Sequence, residues 1–307
     1  MLKTAVKISG LFFTCLCLTA CGKSGPETFR AVCKPLADIP EYVSIPAGSF
    51  QMGSNEAYRE ERPVRTETVG AFKMLSHEVT NREYQAFVEA TGYVTVAERA
   101  PDPALHPDIP KDQLVAGSAI FLSPLESRSP GWWEFRKGAN WKYPEGPDGG
   151  IFDPDKPVIH IAYPDALAYA KWRGGDLPLE SEWEYAARGG LDGQTYAWGE
   201  TPVNEGPPRA NTWQGAFPIQ DIATDGNKGL ARPACYPPNG YGLYDMTGNV
   251  WEWVKEADGA RNAGTIKGGS FLCAPNYCAR YRPAAKQPQE LDFSTNHIGF
   301  RIVIREE

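Results

Sequence analysis

The chain has 307 residues, 42% of them hydrophobic and 22% charged, with a formal net charge of −7. Nine tryptophans and 14 tyrosines beside 31 glycines and 27 prolines describe an ordered but loop-rich chain and exclude low-complexity disorder. Basic residues are dispersed, and Arg59, Arg62 and Arg65 are interspersed with Glu60, Glu61 and Glu67, so no nucleic-acid partner is expected.

The N-terminus, MLKTAVKISGLFFTCLCLTACGKSG, places Lys3 and Lys7 before an apolar run from Ile8 to Ala20 that is short for a mature membrane span. Leu18-Thr19-Ala20-Cys21 puts small residues before a cysteine and resembles a bacterial lipoprotein signal, whose cleavage leaves Cys21 as a lipid-carrying N-terminus. An ordinary secretory signal is the alternative. Residues 1–20 are therefore expected as the signal, 21–40 as the lipidated end and tether, and 41–307 as the folded domain. Removal of the signal takes Lys3 and Lys7 and no acid, leaving a net charge of −9. Multiple acylation at one residue gives stable anchoring. Later runs are too short to span a bilayer, so the body is expected to be soluble, anchored to the cell envelope and facing the periplasm. Gly22 after the cysteine favours the outer membrane.

Residues 41–53, EYVSIPAGSFQMG, alternate apolar and polar and predict a strand, and 67–80 predict another extended stretch. Thr80 with Glu83 three residues later forms a capping box, Tyr84, Phe87 and Val88 share a face, and Gly92 stops the predicted helix. Residues 95–157 are dense in Pro and Gly and predict a long excursion with little regular structure, packed by Trp132, Trp133 and Trp141. KPVIHIAY (156–163) reads as a buried strand. A helix follows, with Pro164 at its start and Gly174 past its end. LPLESEWEYAARGG predicts a further helix, with Trp183, Ala186 and Ala187 inward and Gly189 as its stop. Loops return from 191 to 240, and TIKGGSF and IGFRIVI read as paired strands. Without an internal repeat or βαβ rhythm, the fold class is an irregular α+β domain.

Cysteines carry the chemistry. Cys15 and Cys17 leave with the signal, Cys21 is taken by lipid, and Cys33, Cys235, Cys273 and Cys278 remain. Outside the cytoplasm two disulfides are the simplest arrangement, Cys33 with Cys235 among the options. Cys273 and Cys278, five apart in GGSFLCAPNYCARYR, admit a disulfide, a redox pair or a metal site. A bridge that short removes little unfolded-state entropy. Two thiolates suit a soft metal ion, whereas a zinc site lacks a second close pair. His77, His106, His160 and His297 are scattered and offer little for a histidine-held iron.

IPAGSFQMG, EVTNREYQAFV, GANWKYPEGPDG, KPVIHIAYPDALAYAKW, LPLESEWEYAARGG, YAWGE, ANTWQGAFP, DMTGNVWEW, KGGSFLCAPNYCARYRPAA and HIGFR, in this order over about residues 41–304, resemble the formylglycine-generating enzyme (sulfatase-modifying factor) family. The resemblance implies a loop-rich α+β fold related to C-type lectin domains. It implies an oxidase that uses O2 to convert a cysteine, in the Cys-x-Pro-x-Arg context of an unfolded exported sulfatase, to Cα-formylglycine. The fold also serves non-catalytic, lectin-like binding proteins and oxidases of other periplasmic substrates, so fold alone does not settle the function.

By the same resemblance Cys273 and Cys278 hold Cu(I), Ser270 and Tyr277 hydrogen-bond the substrate thiol and oxygen species, and Trp251 walls the pocket. Arg280 and Arg282 are read as partners of buried carboxylates. Two structural Ca2+ sites are implied: one from the Asn211 and Asp225 side chains with the Thr212 and Asn227 carbonyls, the other from Asp245 and Glu252 with the Gly248 and Val250 carbonyls. Ala274 and Asn276 depart from the family, where many members carry histidine and serine, and put proton handling or substrate preference in question. Ala170 and Ala187 stand where some relatives have cysteine.

Overall fold

Pro46 and Ala47 divide the first extended run in two. In the computed structural model, which describes residues 31–104, 107–127, 131–255 and 263–305, β1 (Tyr42–Ile45) and β2 (Gly48–Met52) enter different sheets. β2 pairs antiparallel with β3 (Arg65–Val69), and β1 pairs with β4 (Phe72–Leu75), so the second extended stretch is also split, at Gly70. Cys21, expected to carry lipid, and His106 lie outside the described residues.

Helix α1 (Asn81–Thr91) is the one its capping box predicts: Thr80 accepts from the Glu83 amide, the Glu83 carboxylate accepts from the Thr80 amide, and Gly92 closes the helix in the left-handed conformation. The following excursion has more order than expected, because β5 (Gly117–Phe121) and β6 (Trp133–Lys137) form an antiparallel pair. Trp141 is buried there, but Trp133 is half-exposed on β6.

KPVIHIAY is buried without being a strand. His160 adopts a left-handed φ of 61°, which breaks a ladder, and the segment bonds on alternate sides, Val158 N–H to the Val79 carbonyl and His160 N–H to that of Thr295. It leads into α2 (Tyr163–Trp172), where the Asp165 carboxylate accepts from the Ala162 amide, and then α3 (Glu180–Arg188), ended by left-handed Gly189. Trp183, Ala186 and Ala187 point inward as expected.

A four-stranded sheet positions the site. In it β7 (Trp251–Trp253) lies between β8 (Ala263–Lys267) and β10 (Ile298–Gly299), with β9 (Lys286–Glu290) beyond β8. The two stretches expected to pair are therefore separated by β7. IGFRIVI also splits, its second half β11 (Val303–Ile304) joining β4 in the first sheet. One apolar core gathers α1, α2, β7 and both cysteines of the 273/278 pair, and a second packs α3 on β1–β4. The end of the expected tether is built into the domain: Cys33 is disulfide-bonded to Cys235, Lys34 N–H donates to the Ala234 carbonyl, and Ile39 packs on Ala234 and Tyr244.

Candidate active site

The site begins where β8 ends. Buried Lys267 is ion-paired to Glu184 of α3 at 2.9 Å, which fixes that end. Gly268 and Gly269 then turn with φ of 93° and 76°. A Cβ on Gly269 would stand 2.9 Å from the Arg280 carbonyl carbon and oxygen, so the segment from 269 to 280 closes on itself at a contact only glycine permits. Inside the loop, Ser270 is fully buried; its carbonyl accepts from Cys273 N–H and its hydroxyl from Leu272 N–H. The Ala274 carbonyl accepts from both Tyr277 and Cys278 N–H, a tight turn that carries Cys278 back over Cys273.

The two sulfurs converge at 2.7 Å, buried and unbonded. A disulfide bond is about 2.05 Å. Burial, then the neighbouring Cys278, pushes the Cys273 thiol well up, while Cys278 is drawn down to about 7, first by the hydrogen bond from Cys273 and then by Arg280. One proton of the pair is therefore lost far more readily than the other. Arg280 bonds Glu60 at 2.6 Å and lies 3.8 Å over the Tyr58 ring, and Arg282 makes a buried two-point pair with Glu61 at 2.8 and 2.5 Å. Both arginines meet carboxylates as expected, and Arg280 also faces Cys278.

Trp251 is buried in the same apolar cluster as the cysteines, its N–H bonded to the His297 carbonyl. Tyr277 is 54% exposed, stacked on Phe217 at 4.4 Å and edge-on to Trp132 at 5.8 Å. Beside it a cleft of about 440 Å³ is lined by Val203, Asn204, Trp213, Gln214, Pro275 and Asn276. Neither this cleft nor a cavity of about 500 Å³ between Val96 and Phe293 is lined by a cysteine, but the cleft alone is lined by residues of the thiol loop.

Two oxygen-rich loops back the cysteine segment. In the first, Asn211 donates to the Gly229 carbonyl and to Asn249 Oδ1, leaving its own amide oxygen for another partner. Asp225 is fully buried, accepts from Asn227 and Thr212 N–H, and is pushed up to about 6 by burial, with no ion pair among the described residues. A buried carboxylate without countercharge, beside amide and carbonyl oxygens, fits a hard divalent cation. In the second loop Asp245 Oδ2 accepts from Ala234 N–H, while its Oδ1 is buried with no hydrogen-bond partner. Glu252, the other side chain of this expected set, is held by Arg301 at both its oxygens, and Trp183 Nε1 donates to one. Glu78, which sequence reading did not single out, is fully buried and raised well above the usual range by burial and by Asp245 and Glu252. Three carboxyls thus crowd one guanidinium; burial and then this crowding raise Glu78 and Asp245, and a cation at the orphaned Asp245 oxygen would favour their ionised forms. Among the described residues no three His, Cys, Asp or Glu side chains are placed to hold one metal ion between them, so either cation would depend on main-chain carbonyls.

Distant in sequence, His160 and His297 come within electrostatic reach of each other, and burial lowers both to about 3. His160 is fixed by Ser118 and the Pro144 carbonyl, His297 by Thr295 and the Trp133 ring at 4.9 Å. Only tertiary contacts reveal them; the scattered sequence positions give no signal.

Residues 28–306 match the model of the sulfatase-modifying factor enzyme 1-like domain. The chain is 46% identical to a formylglycine-generating enzyme of Mycobacterium tuberculosis, over 86% of this chain and 98% of the relative. It is 39% identical to the formylglycine-generating enzyme of Bos taurus, over 84% and 73%, and 37% identical to an inactive Cα-formylglycine-generating enzyme 2 of the same species, over 84% and 86%. The solved structure of PvdO from Pseudomonas aeruginosa shares the fold, with a TM-score of 0.61 at 24% identity, covering 92% of this chain and 99% of that one.

Proposed function

Since the chain belongs to the family of the sulfatase-modifying factor enzyme 1-like domain, we propose that it is a formylglycine-generating oxidase acting on a cysteine of an exported sulfatase-type polypeptide. The observation that carries this reading is the unbonded, buried sulfur pair at 2.7 Å, a donor set of two soft atoms, one of which ionises readily. Cys273 and Cys278 would hold cuprous ion, which supplies the electron transfer to O2 that thiols and aromatic rings lack.

The rest is the work of the chain. The cleft lined by Pro275 and Asn276, on the same loop as the cysteines, would receive the client as an extended segment. Trp251 and the buried face of the loop keep bulk water from the thiols, while exposed Tyr277, braced by Phe217, stands at the mouth with its hydroxyl available to client or oxygen species. Ser270, fixed by its own turn, sets the floor. Converting the client's cysteine side chain to an aldehyde with release of hydrogen sulfide removes two electrons from the client. Reduction of O2 to two oxygen atoms at the water level takes four, so an external thiol must supply the other two electrons and two protons. Products are the aldehyde, hydrogen sulfide, one water and the oxidised external thiol. Asn211, Thr212, Asp225 and Asn227, and Asp245 with the Gly248 and Val250 carbonyls, would hold structural calcium, and Cys21 would carry the lipid that keeps the enzyme at the periplasmic face of the envelope.

A non-catalytic binding role, which an inactive relative makes relevant, would not require the paired thiols. The test is mass spectrometry of a Cys-x-Pro-x-Arg peptide after aerobic incubation with copper-loaded protein and a dithiol. The expected product has lost one sulfur and two hydrogens, gained one oxygen, and reacts as an aldehyde, with Cys273→Ala inactive. Equal behaviour of wild type and Cys273→Ala would refute the reading.

A further inference from the structure

The loop that carries the first candidate calcium site is bonded directly to the thiol loop, through one peptide group. In the calcium reading Thr212 would contribute its carbonyl, which here accepts from Gln214 Nε2 at 3.2 Å, and the N–H of the same peptide, that of Trp213, donates to the Cys273 carbonyl at 3.0 Å. A peptide unit is planar and stiff, so its oxygen and its hydrogen cannot be reoriented independently. We propose that the Thr212–Trp213 peptide is a positioning link, through which a cation at the Asn211/Asp225 site sets the main-chain geometry of Cys273 and so keeps its sulfur facing Cys278. The proposal rests on the calcium reading above and extends it from a stabilising role to control of the reactive pair.

Three features make the link tight. The Cys273 N–H is already spent on the Ser270 carbonyl, so with its carbonyl held by Trp213 both main-chain groups of Cys273 are fixed. The Trp213 ring packs with Leu272 and Ala274, the two neighbours of Cys273, so the peptide cannot swing away without opening that apolar contact. On the other side, Thr212 N–H points at Asp225 Oδ2 at 3.4 Å, a long bond, while Asp225 is buried without an ion pair among the described residues. Lacking a cation, the Asp225 side holds the peptide weakly. A cation drawing on the Thr212 carbonyl both orients the plane and polarises its N–H toward Cys273.

The test uses the full chain, copper-free and reduced, with calcium or after chelation, as wild type and as Asp225→Asn. The amide keeps one acceptor, for Asn227 N–H, but sets an NH2 donor where Oδ2 faces Thr212 N–H. The variant thus removes charge and one acceptor together, and it is chelation and re-addition of calcium on the wild type that isolate the cation's part. Calcium content is measured directly. Hydrogen exchange is followed in residues 211–213 and 268–278, with α1 as the internal control, together with alkylation of Cys273 and Cys278. Chelation is expected to raise exchange in both segments and the alkylation rate about tenfold, the net worth of one main-chain hydrogen bond, while leaving α1 unchanged. Re-added calcium restores wild type and not Asp225→Asn. If calcium binds and is removed without changing exchange or alkylation, the link is wrong and the calcium site stands. If wild type binds no calcium, the calcium reading fails and the link with it.

Discussion

Arg282 joins the thiol loop to the Arg59–Glu61 turn by a buried two-point pair with Glu61, and its Nε donates to the Ala279 carbonyl beside Cys278. Removing one partner strands a charge where water cannot reach. Arg282→Met is therefore expected to cost about 3–5 kcal/mol, read from urea unfolding, whereas Arg282→Met with Glu61→Gln recovers most of that loss. His160 makes a different prediction. Its folded value of about 3 lies below the ordinary 6.5, so between these limits the unfolded chain binds a proton that the folded chain refuses. Stability rises with pH through that window, is fully present above about pH 6.5 and is lost as pH falls toward 3, with a limiting slope of about 1.4 kcal/mol per pH unit for this group. His160→Asn keeps a residue that tolerates the left-handed backbone and removes the titration. Unfolding at pH 7 and pH 5 should show the variant less stable at pH 7 by about 1–3 kcal/mol, with a shallower fall between the two pH values. An equal slope would remove His160 from the acid response.

Local signals wrote the helices. The Thr80/Glu83 box, Gly92, Pro164 and Gly189 each act within a turn of the residue they terminate, so α1 to α3 were legible in the sequence, as was the cysteine pair five residues apart. Sheet membership was not, because it depends on partners far along the chain: β10 and β11 are near neighbours in sequence yet serve different sheets, and residues 156–163 share a strand's burial without its conformation. Glu78 was missed for the same reason, its amide partner Asn249 lying 171 positions away. Glycines show how far local reading goes. Gly92 and Gly269 are both left-handed, but a Cβ on Gly92 meets nothing within 4 Å, whereas one on Gly269 meets main chain. Gly92→Ala should cost about 1 kcal/mol in thermal or urea unfolding and leave Cu(I) affinity unchanged. Gly269→Ala should cost more and also lower Cu(I) affinity, measured against a chromophoric chelator.

Cys33 and Cys235, 202 positions apart, staple the N-terminal end of the described chain to the loops behind the second oxygen-rich site. Closing so long a loop restrains the unfolded chain strongly, and Cys33→Ser with Cys235→Ser is expected to lose about 2–5 kcal/mol of stability under non-reducing conditions while keeping the 273/278 thiols intact. The staple also separates two chemistries in one chain: one cysteine pair is bonded, and the other, which the proposed reaction needs as thiols, is buried and closed in by Trp251, Ser270 and the glycine turn. The state of that second pair decides between an oxidase and a binding protein on the same scaffold. Copper-edge X-ray absorption of the full chain loaded with Cu(I) reads it directly. Sulfur-only ligation in wild type, one more sulfur on adding a cysteine peptide, and loss of the signal in Cys278→Ser are the expected results. Nitrogen or oxygen ligation that survives Cys278→Ser, or a 273–278 disulfide that will not take up the metal after reduction, would contradict the assignment.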